Sequence, residues 1–181
     1  LGVGAIKQNT VAITIGTSAG VRVVTDHPVI DPQQRLFCYA VDKGLWVIGG
    51  PLNNGGDVYQ WAVEHLVDAS AVKNENIDPY TLANQVIEGV PAGAHGLLFH
   101  PFLGGERAPL WDANARGSFF GLSHIHTRAD MLRSVMEGIC MNIATVFQAV
   151  RDLVGNPASV TATGGFARAE VWRQMLADVL N

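Results

Sequence analysis

The hydrophobic pattern along this chain begins with period two. Val11-Ala12-Ile13-Thr14-Ile15 is a short β-branched run ending at Gly16, and Val21-Arg22-Val23-Val24 is a second. Joined by Gly16-Thr17-Ser18-Ala19-Gly20, the two runs predict a hairpin. Asp31-Pro32 marks a turn. Residues 36–41 and 45–48 predict two more strands around Asp42-Lys43-Gly44, and Gly49-Gly50-Pro51 is expected to stop the sheet pattern.

From about Gly56 the period changes. Val58, Trp61, Ala62, His65 and Leu66 recur at three and four residues, as on one face of a helix. Asp78-Pro79 predicts a second helix start, with Asp as N-cap and Pro in the first turn, and Gly89 predicts its end. Residues 90–114 read as loop around one short apolar run, Leu97-Leu98-Phe99. Thr127 with Asp130 three residues later resembles a capping box. It opens the longest helical signal, carried by Leu132, Val135, Met136, Ile139, Ile143, Val146, Phe147, Val150 and Leu153 and closed by Gly155-Asn156-Pro157. Gly138 inside that helix costs about 1 kcal/mol against Ala, so a close neighbour is expected to demand the missing side chain. Val160 to Thr163 predicts another strand. Gly164-Gly165 then leads into a helix with Val171, Trp172, Met175, Leu176 and Val179 inward. The order is four strands, two helices, a loop, a long helix, a strand and a helix: mixed α/β with an antiparallel opening meander.

Composition narrows the functional classes. With 181 residues, 48% of them apolar and 15% charged, the chain can bury a core as one domain, and disorder is excluded. The net charge is −4 and Lys and Arg do not cluster, which argues against a sequence-independent grip on nucleic acid. No apolar run approaches the roughly 20 residues of a membrane span and no secretory signal pattern is visible, so a cytoplasmic protein is expected. Cys38 and Cys140 are far apart and read as free, buried thiols. The opening Leu1-Gly2-Val3-Gly4, without an initiator Met, and a helical pattern still running at Asn181 suggest a piece of a longer protein.

Candidate chemistry concentrates at glycines. Gly16-Thr17-Ser18-Ala19-Gly20 fits G-x-S-x-G, the nucleophile elbow of hydrolases, but that motif needs a helix after it and a β-type run follows here. It also suits a phosphate-binding turn, in which glycines let backbone approach an oxyanion and Thr17 and Ser18 offer donors, or a plain glycine-rich turn. Thr163-Gly164-Gly165 stands between a strand and a helix, where a helix N-terminus favours negative charge. Pro51-Leu52-Asn53-Asn54-Gly55-Gly56-Asp57 is a third such junction. His95, His100, His124 and His126 show no metal-ligand spacing and read as loop and surface residues. Trp46, Trp61, Trp111 and Trp172 read as packing residues. Glu106-Arg107 is either a solvated turn or an ion pair at a cleft rim.

Taken together, Ile15-Gly16-Thr17-Ser18, Gly105-Glu106-Arg107-Ala108-Pro109, Ala162-Thr163-Gly164-Gly165, and Gly117-Ser118-Phe119-Phe120-Gly121-Leu122 followed after seven residues by Asp130-Met131-Leu132-Arg133-Ser134-Val135-Met136-Glu137 resemble the C-terminal domain of the FGGY family of carbohydrate kinases across essentially all 181 residues. The resemblance implies an actin-like ATPase (ribonuclease H-like) fold. It also implies phosphorylation of a sugar or sugar acid with ATP and Mg²⁺, and a missing N-terminal domain of the same chain across a cleft. Phe37-Cys38-Tyr39-Ala40, Val47 to Gly56 and Phe99 to Arg107 are most similar to members that act on gluconate. The alternatives are a xylulose-phosphorylating member or a non-catalytic actin-like nucleotide-binding module, and a homodimer is left open. By the same resemblance Gly16, Thr17 and Ser18 would meet the ATP phosphates. Gly56, Gln60, Gly164, Gly165 and Ala169 would surround ribose and adenine; the family often carries Asn at the place of Ala169. The general-base Asp is expected upstream of Leu1, which leaves the chain alone inactive.

Overall fold

The computed structural model describes residues 4–7 and 9–181, so the opening Leu1-Gly2-Val3 lies outside the described residues. A five-stranded sheet carries the fold. Its strands are β1 (Thr10–Ile15), β2 (Ala19–Thr25), β3 (Phe37–Asp42), β4 (Leu45–Leu52) and β7 (Ser159–Gly164), in the spatial order β3-β4-β2-β1-β7. The first four form an antiparallel meander, whereas β7 joins β1 in parallel, Thr10 facing Ser159 and Ile15 facing Gly164. Because side chains alternate along a strand, Val11, Ile13 and Ile15 share one face with Val21, Val23, Ile48 and Leu52, all of them core residues.

Helices α1 (Gly56–Leu66), α3 (Pro79–Glu88), α4 (Arg128–Val154) and α5 (Glu170–Leu180) cover that face. Two predicted starts have the expected local chemistry. Asp78 caps α3 by accepting from Thr81 N at 2.9 Å, with Pro79 in the first turn. At α4, Asp130 accepts the Thr127 N–H and hydroxyl, both at 2.7 Å. The α4 residues Leu132 through Val150 named by the periodicity are buried. Gly138 has the neighbour its presence implied: a Cβ there would overlap the carbonyl oxygen of Phe99. Gly138→Ala therefore gains about 1 kcal/mol of helix propensity but incurs about 1–3 kcal/mol of overpacking. A net loss of stability is expected in a urea melt, and a stabilised variant would contradict the packing argument.

Some expectations are corrected. β4 does not stop at Gly49 but runs through Gly50 and Pro51 to Leu52. Its glycines are there for packing, since a Cβ on Gly49 would run into the Val21 carbonyl and one on Gly50 would lie 2.5 Å from Val146 Cγ1. The inward face of α1 is turned from its predicted setting: Tyr59 and Val63 are buried beside Val58 and Ala62, while His65 is exposed. Tyr59 is drawn in by Trp172, its ring 4.8 Å away, and by a 2.7 Å hydrogen bond from its hydroxyl to Asn84 Oδ1. The short helix α2 (Ala69–Glu75) and strand β6 (Ser118–Phe120) were not predicted; β6 pairs with β5 (Leu98–His100), which grows from the predicted apolar run. Trp111 is exposed instead of packed and donates through its indole to Arg35 O at 3.1 Å.

Asp130 also links the α4 start to the loop before β5, accepting from His95 Nδ1 at 2.7 Å. Burial pulls its pKa upward, but hydrogen bonds from His95 and Thr127 outweigh this and hold it at about 2, below the ordinary 3.8. A carboxyl depressed in the folded state adds stability that is complete above its unfolded pKa and is lost as pH falls through the folded one. Urea midpoints should thus drop between pH 3.8 and about 2, and Asp130→Asn should flatten that drop; parallel curves for the two proteins would refute the link.

Candidate functional site

The hairpin between β1 and β2 is tight: Gly16 N donates to Ser18 O at 2.9 Å. It rests directly on the start of α1, where Gly56 N donates to Gly16 O at 2.7 Å and Asp57 N to Thr17 O at 3.1 Å. This contact requires glycine on the helix side. A Cβ on Gly55 would lie 2.7 Å from the Ser18 carbonyl carbon, and one on Gly56 would lie 2.6 Å from Gly16 O. On the other side of the hairpin, Gly164 ends β7 with φ +121°, and a Cβ there would overlap the Ile15 carbonyl. The three glycine-rich junctions thus meet at one end of the sheet.

A cavity of about 680 Å³ opens beside that meeting point. Six of the eight residues singled out from the sequence line it: Gly16, Thr17, Gly56, Gln60, Gly165 and Ala169. Ser18 and Gly164 are not in its wall; Ser18 closes the turn through its carbonyl and Gly164 packs on Ile15. Between Gly165 and α5 the chain makes a 3-10 turn, Gly165–Arg168, so the helix begins five residues after Gly165, not directly beyond it. Ala169 is the N-cap of α5 and offers no side-chain cap.

The far wall comes from residues that carried no sequence signal for this role. Tyr59 and Trp172 form an aromatic floor with Phe166, whose ring lies 5.9 Å from that of Trp172. Tyr80, Thr81 and Asn84 add polar groups from α3. Burial raises the Tyr59 phenol above its ordinary range, so it stays protonated and donates to Asn84. Gln60 is exposed and donates to Glu64 at 2.8 Å. Beneath the floor, burial pushes the Cys140 thiol up to about 12, which leaves it without nucleophilic character.

The Glu106-Arg107 pair is neither a solvated turn nor an ion pair. Glu106 is 2% exposed, and its carboxylate accepts from Asn53 N at 2.6 Å, Arg107 N at 2.8 Å, Asn54 Nδ2 at 3.0 Å and Asn142 Nδ2 at 2.6 Å. Asn54 in turn clasps the Gly104-Gly105 backbone, donating to Gly105 O at 2.7 Å and accepting from Gly104 N at 3.1 Å. This carboxylate therefore fixes the segment leading into Gly55-Gly56 against α4.

A mixed sheet whose hydroxyl-bearing glycine hairpin faces a cavity between α1 and the turn before α5 has the architecture of an actin-like ATPase domain. Residues 11–181 match the model of the FGGY family of carbohydrate kinases, C-terminal domain, and the chain belongs to that family. It is 48% identical over 182 residues to a gluconokinase of Bacillus licheniformis, covering 99% of this chain and 36% of that protein. Two solved structures are similar. A gluconate kinase of Lactobacillus acidophilus has a TM-score of 0.88 at 42% identity, with 99% of this chain and 35% of that one covered. A ligand-bound xylulose kinase of the same organism has a TM-score of 0.89 at 41% identity, with the same coverage. The chain spans about a third of the length of the relatives it matches.

Proposed function

We propose that this chain is the C-terminal, ATP-holding domain of a two-domain kinase that phosphorylates gluconate to 6-phosphogluconate, its N-terminal domain lying outside residues 1–181. The observation that carries the reading is the convergence of Gly16, Thr17, Gly56 and Gly165 on one cavity with an aromatic floor. Gluconate as acceptor is supported by the 48% identity to a gluconokinase.

In this reading the phosphates lie at the hairpin, where Thr17 offers its hydroxyl and Gly16 and Gly165 leave the backbone open to oxygens. The purine rests against Trp172 and Tyr59, with Asn84 and Gln60 at its edge. Among the described residues no three His, Cys, Asp or Glu side chains converge to hold a metal. Mg²⁺ is therefore proposed to enter on the phosphates, its usual way of binding in phosphoryl-transfer sites. An Asp upstream of Leu1 takes the proton of the sugar-acid hydroxyl. The oxygen attacks the γ-phosphorus, the bond to the bridging oxygen breaks, and ADP leaves. Such a transfer needs little covalent help from protein, so positioning and charge stabilisation lower the barrier. Closure of the two domains excludes water.

A coupled assay of the full-length protein against gluconate, xylulose, glycerol and ribulose tests the acceptor, with the highest kcat/KM expected for gluconate. The likeness to the Lactobacillus acidophilus xylulose kinase supports the second reading, and dominant turnover of xylulose would establish it over the first. The 181-residue chain alone is expected to bind ATP without phosphorylating gluconate.

A further inference from the structure

A second cavity, of about 480 Å³, lies on the opposite face of the sheet and is lined by Arg22, Phe37, Tyr39, Val47, Pro51 and Arg107. Arg22 pairs with Ala12 in the register of β1 and β2, and so alternates away from the core residues Val21 and Val23. Its side chain runs back along the strand toward the hairpin. A Cβ placed on Gly20 would lie 2.9 Å from Arg22 Nη1, 3.1 Å from Nη2 and 3.2 Å from Cζ, so the guanidinium lies flat over Gly20. Gly20 stands two residues beyond Ser18, or roughly 7 Å of strand from the hairpin end.

Two features mark this cation as waiting for a ligand. Arg35 and Arg133 each hold a carboxylate at 3.0 Å or less, yet Arg22 has no hydrogen-bond or ion-pair partner among the described residues. Arg107, beside it in the same wall, donates through Nη2 to Leu52 O at 3.0 Å and keeps a buried Nε with no partner. Two guanidiniums in one cavity with no carboxylate are matched by an anion, and the planar fork of arginine suits a carboxylate. The stacked rings of Phe37 and Tyr39, centroids 4.4 Å apart, supply an apolar wall along which a carbon chain can lie.

The first cavity includes Gly16 and Thr17 of the hairpin; the second lies on the other face of the sheet, where Arg22 reaches back over Gly20 toward the same hairpin. We infer that Arg22, assisted by Arg107, binds the carboxylate of the sugar acid and so selects an acidic over a neutral acceptor. This rests on the gluconate reading above and deepens it: the reacting hydroxyl and the carboxylate sit at opposite ends of gluconate, so a grip on the carboxylate presents the far hydroxyl to the phosphate. Gly20 is the residue that makes room for the grip.

The test uses the full-length enzyme and its Arg22→Met, Arg22→Lys and Gly20→Val variants, with gluconate, xylulose and ATP as the varied substrates and thermal melts as a check on folding. Arg22→Met is expected to raise KM for gluconate at least tenfold, with kcat and the KM for ATP within about twofold. Arg22→Lys should recover part of the loss, because a charge remains without the fork. Gly20→Val should reproduce the Arg22→Met effect by displacing the guanidinium. The weaker turnover of xylulose should be unchanged or improved in Arg22→Met. An unchanged KM for gluconate, or an equal loss on gluconate and xylulose, in a folded Arg22→Met overturns the inference while leaving the gluconate reading intact. A wild-type enzyme inactive on gluconate overturns both.

Discussion

Replacing Glu106 with Ala is expected to cost this domain about 4 kcal/mol of stability. Four donors converge on that carboxylate, two half-buried backbone N–H groups and the buried amides of Asn54 and Asn142. A buried donor left without a partner costs about 1–3 kcal/mol, and the two buried amides lose this acceptor together, a cost of about 2–6 kcal/mol. Partial relaxation and water entry keep the sum near that range. Glu106→Gln keeps the volume but turns one oxygen into an NH₂ that faces another donor, so an intermediate loss of about 2 kcal/mol is expected. Denaturant unfolding followed by tryptophan fluorescence reads both, and a Glu106→Ala midpoint equal to wild type would show that the carboxylate is not the hub.

The second large effect falls on nucleotide affinity. Gly165 has no heavy atom within 4 Å of where its Cβ would stand, and its φ is not in the left-handed region. Gly165→Val should therefore fold normally, with a thermal midpoint within about 2 °C of wild type. Its new side chain projects into the cavity, and calorimetric Kd for ATP is expected to weaken at least tenfold, about 1.4 kcal/mol. Gly56→Val should behave in the opposite way, since its Cβ would lie 2.6 Å from Gly16 O and must push the hairpin off the helix. Equal ATP affinity in folded Gly165→Val would remove that glycine from the nucleotide site.

What could be read from the sequence follows the range of the interactions involved. The hairpin, the Thr127–Asp130 start of α4 and the inward residues of α4 depend on neighbours within a few positions, and the pattern carried them. Gly138 could be read because a glycine inside a long helix needs a reason. The glycines of the cavity were legible as a class, yet Tyr59 and Asn84 carried no signal, because their roles arise only when α1 and α3 lie side by side. Glu106 is the clearest case. Its side-chain partners Asn54 and Asn142 lie 52 and 36 residues away, so in sequence its charge could only be set beside that of Arg107. The false stop at Gly49 has a related cause: glycine marks either a turn or a close approach of backbones, and only the Val21 carbonyl across the sheet tells which.

The pairing of β7 with β1 bears on the order in which the domain is made. Strands β1 to β4 lie within the first 52 residues and close through short connections, whereas Thr10 finds Ser159 only across 149 residues of chain. Closing so long a loop carries an entropic cost that grows with its length, and such non-local pairing slows folding. The meander can thus collapse early, while the wall formed by Gly165, Ala169 and Trp172 arrives only with the segment that follows β7. A ligand in the large cavity lacks this wall until β7 has joined β1, so it acts as a lock on that pairing and not as a template for it.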